Sequence, residues 1–223
     1  MRRVRPVKEW RRGQFLYGYD TATVVVPKSL PNASPGHLEA YGYAEAINDT
    51  LTTFYAPDGD ALASPGFLAT HCLDTTAPDD GVDDTVVGLA FEPRPGRAIV
   101  DVKGVLWIDT VTADLRRLEF EYTSLRPFLR MYLEPDLRMH VLSRTPNHLR
   151  RFVSFRQITV REELFGGWLG FERIAQGRWL IRKWEVHSPT LLHRGDTAGG
   201  RKSVEPVAFP LRHGGEVLEI VPP

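Results

Sequence analysis

Residues 115–122, LRRLEFEY, constrain this chain more than any other stretch. Leu118, Phe120 and Tyr122 alternate with Arg117, Glu119 and Glu121. Side chains along a strand have a period of two, so this segment presents one buried face and one wet face. Just upstream, GVLWID at 104–109 is apolar on both faces, with Leu106 and Ile108 on one and Val105 and Trp107 on the other. A strand of that kind is central in its sheet or covered on both sides. The polar break TVTAD joins the two runs, which predicts an antiparallel hairpin over 99–109 and 115–123.

Placing Leu106 opposite Leu118 brings Gly104 to Phe120 and Ile108 to Arg116 on one face, and Trp107 to Arg117 and Lys103 to Glu121 on the other. A one-residue slip would put Leu106 opposite Arg117. Burying a large apolar side chain is worth about 1.5–3 kcal/mol, whereas an exposed Lys–Glu pair is worth about 0.2–1 kcal/mol. The apolar face therefore sets the register. A lone hairpin is marginal in water, so this one must belong to a larger sheet.

The rest of the chain reads as further strands. FLYGYDTATVVV (15–26) is aromatic and β-branched. YGYAEAINDTLTTFYAPDGD predicts two short strands around Asn48-Asp49, and SPGFLATHCL a short helix after Ser64. TVVGLAFEP, WLGFERI and RWLIRKWEV read as strands, and EVLEIV as a last one in a Gly- and Pro-rich tail. Residues 1–14 are basic and expected to be loose or edge-like, an N-terminal arm. Residues 126–165 break the β pattern. They are rich in arginine, and Leu149, Phe152, Val153, Val160 and Leu164 suit a period near 3.6. A stretch of about 40 residues is too long for an ordinary loop, whose median is about 4–6. Pro135 and Pro146 divide it, so two helical pieces rather than one are expected, covering the Trp107 face and acting as a lid. The reading is thus one mainly β domain over 1–223: a curved antiparallel sheet or open barrel with a helical insert.

With 28 basic and 28 acidic residues, the chain is not a general polyanion binder, and no nucleic-acid partner is expected. One cysteine, Cys72, forbids an internal disulfide and a Cys-based zinc cluster. No apolar run approaches the roughly 20 residues of a transmembrane helix. The N-terminus begins with charges, but no apolar core follows, so this chain shows no signal peptide.

Candidate chemistry is sparse. His71-Cys72 could pair a thiolate with an imidazole, but neighbours in sequence rarely point together. A small buried structural cysteine in the apolar setting FLATHCL is the expectation. Asp74, Asp79, Asp80, Asp83 and Asp84 lack EF-hand spacing and read as a solvated loop. The histidines at 37, 140, 148, 187, 193 and 213 show no His-x-x-x-His spacing. There is no Gly-x-Ser-x-Gly elbow and no phosphate-binding loop. The arginines of 126–161 read as a charged helix face able to meet an anionic partner such as a lipid head group. No catalytic, cofactor or metal residues are therefore assigned. The candidate binding surface is the apolar face of Leu106, Ile108, Leu118, Phe120 and Tyr122.

The pieces GLAFEPRPGR, VKGVLWIDTVTADLRRLEFEYTSL and GFERIAQGRWLIRKW resemble the C-terminal region of bacterial carboxypeptidase-regulatory-like domain-containing proteins. In that family an N-terminal β-sandwich, absent from this chain, precedes a β-rich module. FLATHC and YGYDTATVVVPKSL fit as well. The hairpin also resembles, on less sequence, the lipoprotein-carrier half-barrels of the periplasm, whose apolar concave face is plugged by helices. The resemblance implies a non-enzymatic binding or assembly module at the cell envelope, in the periplasm or at the outer membrane, that holds an apolar or acyl ligand or a protein partner. The alternative is a hydrolase with an unrecognised His/Asp/Cys site.

Overall fold

A computed structural model describes the backbone of residues 3–15, 18–24, 30–48, 51–78, 85–174, 178–198 and 201–221. The elements run β1 (Arg3–Phe15), β2 (Gly18–Val24), α1 (Pro35–Tyr41), β3 (Ala44–Asn48), β4 (Leu51–Phe54), α2 (Gly59–Leu62), α3 (Pro65–Thr70), β5 (His71–Thr76), β6 (Val86–Pro93), β7 (Asp101–Asp109), β8 (Leu115–Thr123), α4 (Leu125–Tyr132), α5 (Glu134–Ser143), β9 (Val153–Phe155), β10 (Gly166–Ile174), β11 (Arg178–Ala198) and β12 (Arg201–Val221). Two 3-10 turns, Asn147–Phe152 and Glu162–Leu164, flank β9.

Among the described residues, ten strands form one strongly curled sheet, a half-barrel. Its order is β2-β1-β12-β11-β10-β8-β7-β6-β5, all antiparallel neighbours, and β9 pairs with β12 in parallel. β3 and β4 make a separate small hairpin. The mainly β fold with helices inserted is as the sequence predicts. The β7–β8 register also follows the prediction at four pairs: Leu106–Leu118, Gly104–Phe120, Trp107–Arg117 and Lys103–Glu121. An irregularity after Trp107 then brings Ile108 to Leu115 rather than to Arg116. Arg116 instead reaches Asp109, whose carboxylate also accepts the turn amides of Val111 and Thr112. The Arg116 bond and these amides hold the Asp109 carboxyl down at about 2.

α1 and α3 start where local chemistry says they should. Ser34-Pro35 and Ser64-Pro65 open α1 and α3, each serine oxygen accepting the amide three residues on and each proline at the first turn. Gly42 ends α1 at φ +82, and a Cβ there would sit 2.3 Å from the Val100 carbonyl. Both helices, with β4, lie on the apolar face of the sheet. Leu38, Phe67, Phe54, Val102, Leu118, Phe120, Tyr122 and Leu169 join one continuous core.

Three expectations about segments are corrected. Residues 3–15 are a strand between β2 and β12, not a loose arm. Their sequence shows no clean alternation, so only the backbone ladder offered by β12 marks them. The tail strand covers 201–221 rather than 216–221 alone. Pro189 faces Pro210 across the β11–β12 ladder, and Pro206 turns its carbonyl away to the Thr159 amide. These prolines sit where no β11–β12 hydrogen bond is required, so they do not break the strand. Finally, the insert is helical to Phe152 and again only in the short turn Glu162–Leu164, while 153–161 runs extended beside β12. Its first helix packs on the Leu118 face, not on the Trp107 face. Leu125 and Leu129 are fully buried in the common core, and Phe128 meets Phe54 at 5.8 Å. The first turn of α4 is closed from a distance, by Glu162 accepting the amides of Leu125 and Arg126.

Candidate functional site

The sheet has two chemically different faces, and each predicted site residue falls on one of them. Leu118 and Tyr122 are fully buried and Phe120 nearly so, while Leu106 and Ile108 are half-buried. Tyr122 packs edge-on to Phe54 and Phe120, and its hydroxyl donates to the Tyr55 carbonyl. Burial holds the Tyr122 phenol above its ordinary pKa. This apolar face is thus filled by the protein's own helices. The cavity beneath α1 and α3 measures about 10 Å3, room for a single water rather than an acyl chain.

At the end of that cavity a histidine and a carboxylate do meet. His71, buried at the start of β5, points Nε2 at an Asp101 carboxylate oxygen and at the Val102 carbonyl, both at 3.2 Å. Its Nδ1 faces the Phe67 carbonyl and the Thr70 hydroxyl, and its ring stacks on Phe67 at 3.8 Å. Arg97 completes the chain by bonding Asp101 and the Glu39 carbonyl. Burial raises the Asp101 carboxyl, but the His71 contact, the Val102 amide and Arg97 together outweigh it, and the pKa ends below the ordinary value. The trio joins α1, α3, β5 and β7 through satisfied buried polar atoms. The hydroxyl it reaches, Thr70, is spent within α3 on the Gly66 carbonyl. Cys72 alternates to the other face of β5 and is exposed, which corrects the expected buried thiol, and Ser64 is spent capping α3. The arrangement can stabilise the fold, but it has no access to a substrate.

The opposite face carries an open groove of about 900 Å3. Alternation brings Cys72 and Asp74 of β5, Glu92 of β6, Lys103 and Val105 of β7, Arg117, Glu119 and Glu121 of β8, and Trp168 of β10 into it. The cations are spent within the sheet: Lys103 pairs with Glu121 at 3.1 Å, and Arg117 pairs with Glu119 at 2.8 Å and lies 4.6 Å over the Trp168 ring. Trp107 donates its indole N–H to Glu119. Asp74 and Glu92 have no cationic partner among the described residues. The groove is net acidic and runs out to β5, the last strand of the sheet, which leaves the outer backbone edge of β5 without a strand partner among the described residues.

Sequence reading missed this groove because its residues look like an ordinary wet strand face. The available signal was Val105 and Trp107, apolar side chains on a face otherwise charged. Of the acidic loop, Asp79, Asp80, Asp83 and Asp84 lie outside the described residues, and Asp74 belongs to β5. Among the described residues no three His, Cys, Asp or Glu side chains gather as a metal site would require, and no helix is long and apolar enough to cross a membrane. Compared with family models, curated proteins and solved structures, the chain has no match.

Proposed function

We propose that this protein is a non-enzymatic binding module that takes an extended, basic partner segment along β5. The carrying observation is the coincidence of an open strand edge with a groove whose carboxylates outnumber its already paired cations. A strand added to β5 would gain main-chain hydrogen bonds and present alternate side chains to the two faces. On the groove face, basic side chains meet Asp74 and Glu92. On the other, apolar side chains cover Leu73, which is 42% exposed. The reading keeps the binding role implied by the family resemblance and moves it from the filled apolar face to the charged one. Placement at the cell envelope rests on that resemblance.

The test is fluorescence anisotropy with labelled alternating Lys–Val and Glu–Val peptides. The Lys–Val peptide should bind saturably and more weakly as salt rises. Asp74→Lys with Glu92→Lys should weaken it about tenfold or more, roughly 1.4 kcal/mol. Equal affinity for both peptides, or none for either, would sink the reading.

A further inference from the structure

The chain as a whole is neutral, yet residues 125–161 hold eight arginines, no lysine and two carboxylates, Glu134 and Asp136. The same segment leaves large apolar side chains in solvent: Met131 is 66% exposed, Met139 67% and Leu149 42%. An ordinary solvated helix face has the charges without the exposed apolar groups. Together they form the composition of a surface that lies in a bilayer interface.

The arginines also converge. A groove of about 510 Å3 lies between α4, α5 and the extended residues 155–158. Arg126 and Arg130, one turn apart on α4, line it with Arg138 of α5 and Arg156. Glu134, its one carboxylate among the described residues, is taken up by Arg138, which bonds it through two nitrogens while lying 4.9 Å over the Phe155 ring. Arg156 donates Nε to the Ser203 hydroxyl, and its terminal nitrogens have no partner among the described residues. The side chains of Arg126 and Arg130 have no acidic partner among the described residues.

We propose that this groove is a phosphate site, and that the phosphate is the head group of an anionic lipid. Three guanidinium forks, from Arg126, Arg130 and Arg156, match phosphate oxygens, and Arg138 is the braced wall behind them. Met131, on the groove's rim, enters the acyl boundary beside the head group. Exposed aliphatic side chains gain nothing from a nucleic-acid backbone, which favours the lipid. The site is independent of the β5 edge and stands or falls without it.

Co-sedimentation of the full chain with vesicles tests it. Vesicles of equal parts phosphatidylglycerol and phosphatidylcholine should bind the protein, and phosphatidylcholine alone should not. Arg126→Gln and Arg130→Gln should each lower the partition about fivefold, the factor corresponding to roughly 1 kcal/mol per arginine at an anionic surface. Arg94→Gln, in the turn after β6, should leave it unchanged, and unaltered circular dichroism of each variant shows that the fold is kept. Met131→Ser should also weaken vesicle binding while leaving any displacement by inorganic phosphate intact. Equal binding to both vesicle types, or full binding by Arg126→Gln/Arg130→Gln, overturns the proposal. Saturable binding of inorganic phosphate with no vesicle binding keeps the arginine site and overturns the lipid assignment. Binding of a single-stranded oligonucleotide as tight as that of anionic vesicles overturns it in favour of a general polyanion face.

Discussion

The two faces of the β7–β8 hairpin are built from alternate residues of the same strands, yet they do different work. On one, Leu118, Phe120 and Tyr122 are sealed under α1, α3, α4 and β4. On the other, Lys103, Glu121, Arg117 and Glu119 pair across an open groove. Adjacent side chains lie a single peptide apart, so this contrast is set by pleat alone. The apolar face holds the fold because burial there is worth kilocalories per residue. The charged face contributes little to stability and is therefore free to change with the partner.

The contrast can be broken most severely at Leu118. Leu118→Ala should cost about 2–5 kcal/mol in a chemical denaturation, and Leu118→Asp, which buries an unpartnered charge, should leave no folded protein. A soluble, cooperatively unfolding Leu118→Asp variant would end the two-face description. Asp101→Asn comes next, at about 3–5 kcal/mol, because it strands Arg97 beside a buried site. Asp101 has a lowered folded-state pKa, so its contribution is present above the unfolded value of about 3.9 and is lost as pH falls through the folded one. Wild-type stability should drop below about pH 4 more steeply than that of Asp101→Asn, and parallel curves would remove the carboxylate from the account.

Tyr122→Phe should cost about 1–3 kcal/mol by leaving the Tyr55 carbonyl unmet. The Tyr122 pKa is raised, so its contribution holds below about pH 10 and fades as pH rises towards the folded value. The alkaline limb of a pH–stability curve should flatten in Tyr122→Phe. On the charged face, Lys103→Ala should change stability by about 1 kcal/mol or less, and a larger loss would mean that the Lys103–Glu121 pair helps to set the register. The smallest perturbation is chemical. Cys72, exposed on the groove face, should react with a neutral-pH thiol reagent in the native state without shifting the melting temperature, and a thiol that reacts only on unfolding would place it on the buried face.

The legible parts of the molecule share a cause. LRRLEFEY and GVLWID state their own faces, so the β7–β8 register followed from side chains alone at four of its pairs. Ser34-Pro35 and Ser64-Pro65 start their helices through contacts three residues away. The misread parts depend on distant partners. β1 is visible only through the ladder that β12 offers, and the 201–221 strand only through a register that puts Pro189 opposite Pro210. No local pattern announces that Glu162 caps α4 from more than 30 residues away.

The sequence by itself determined that the chain is mainly β, that a helical segment interrupts it, and which side chains of the central hairpin are core, because pleat and burial act on near neighbours. Only the tertiary structure decided where the openings lie. Alternation names two faces but does not say which one the helices cover, and α4 packs on the Leu118 face, leaving the Trp107 face open. It likewise brought His71 to Asp101 and sealed them, turned Cys72 outward, and gathered Arg126, Arg130, Arg138 and Arg156 around one groove. Each of these depends on contacts between segments far apart in the chain, and such contacts leave no period or spacing to read.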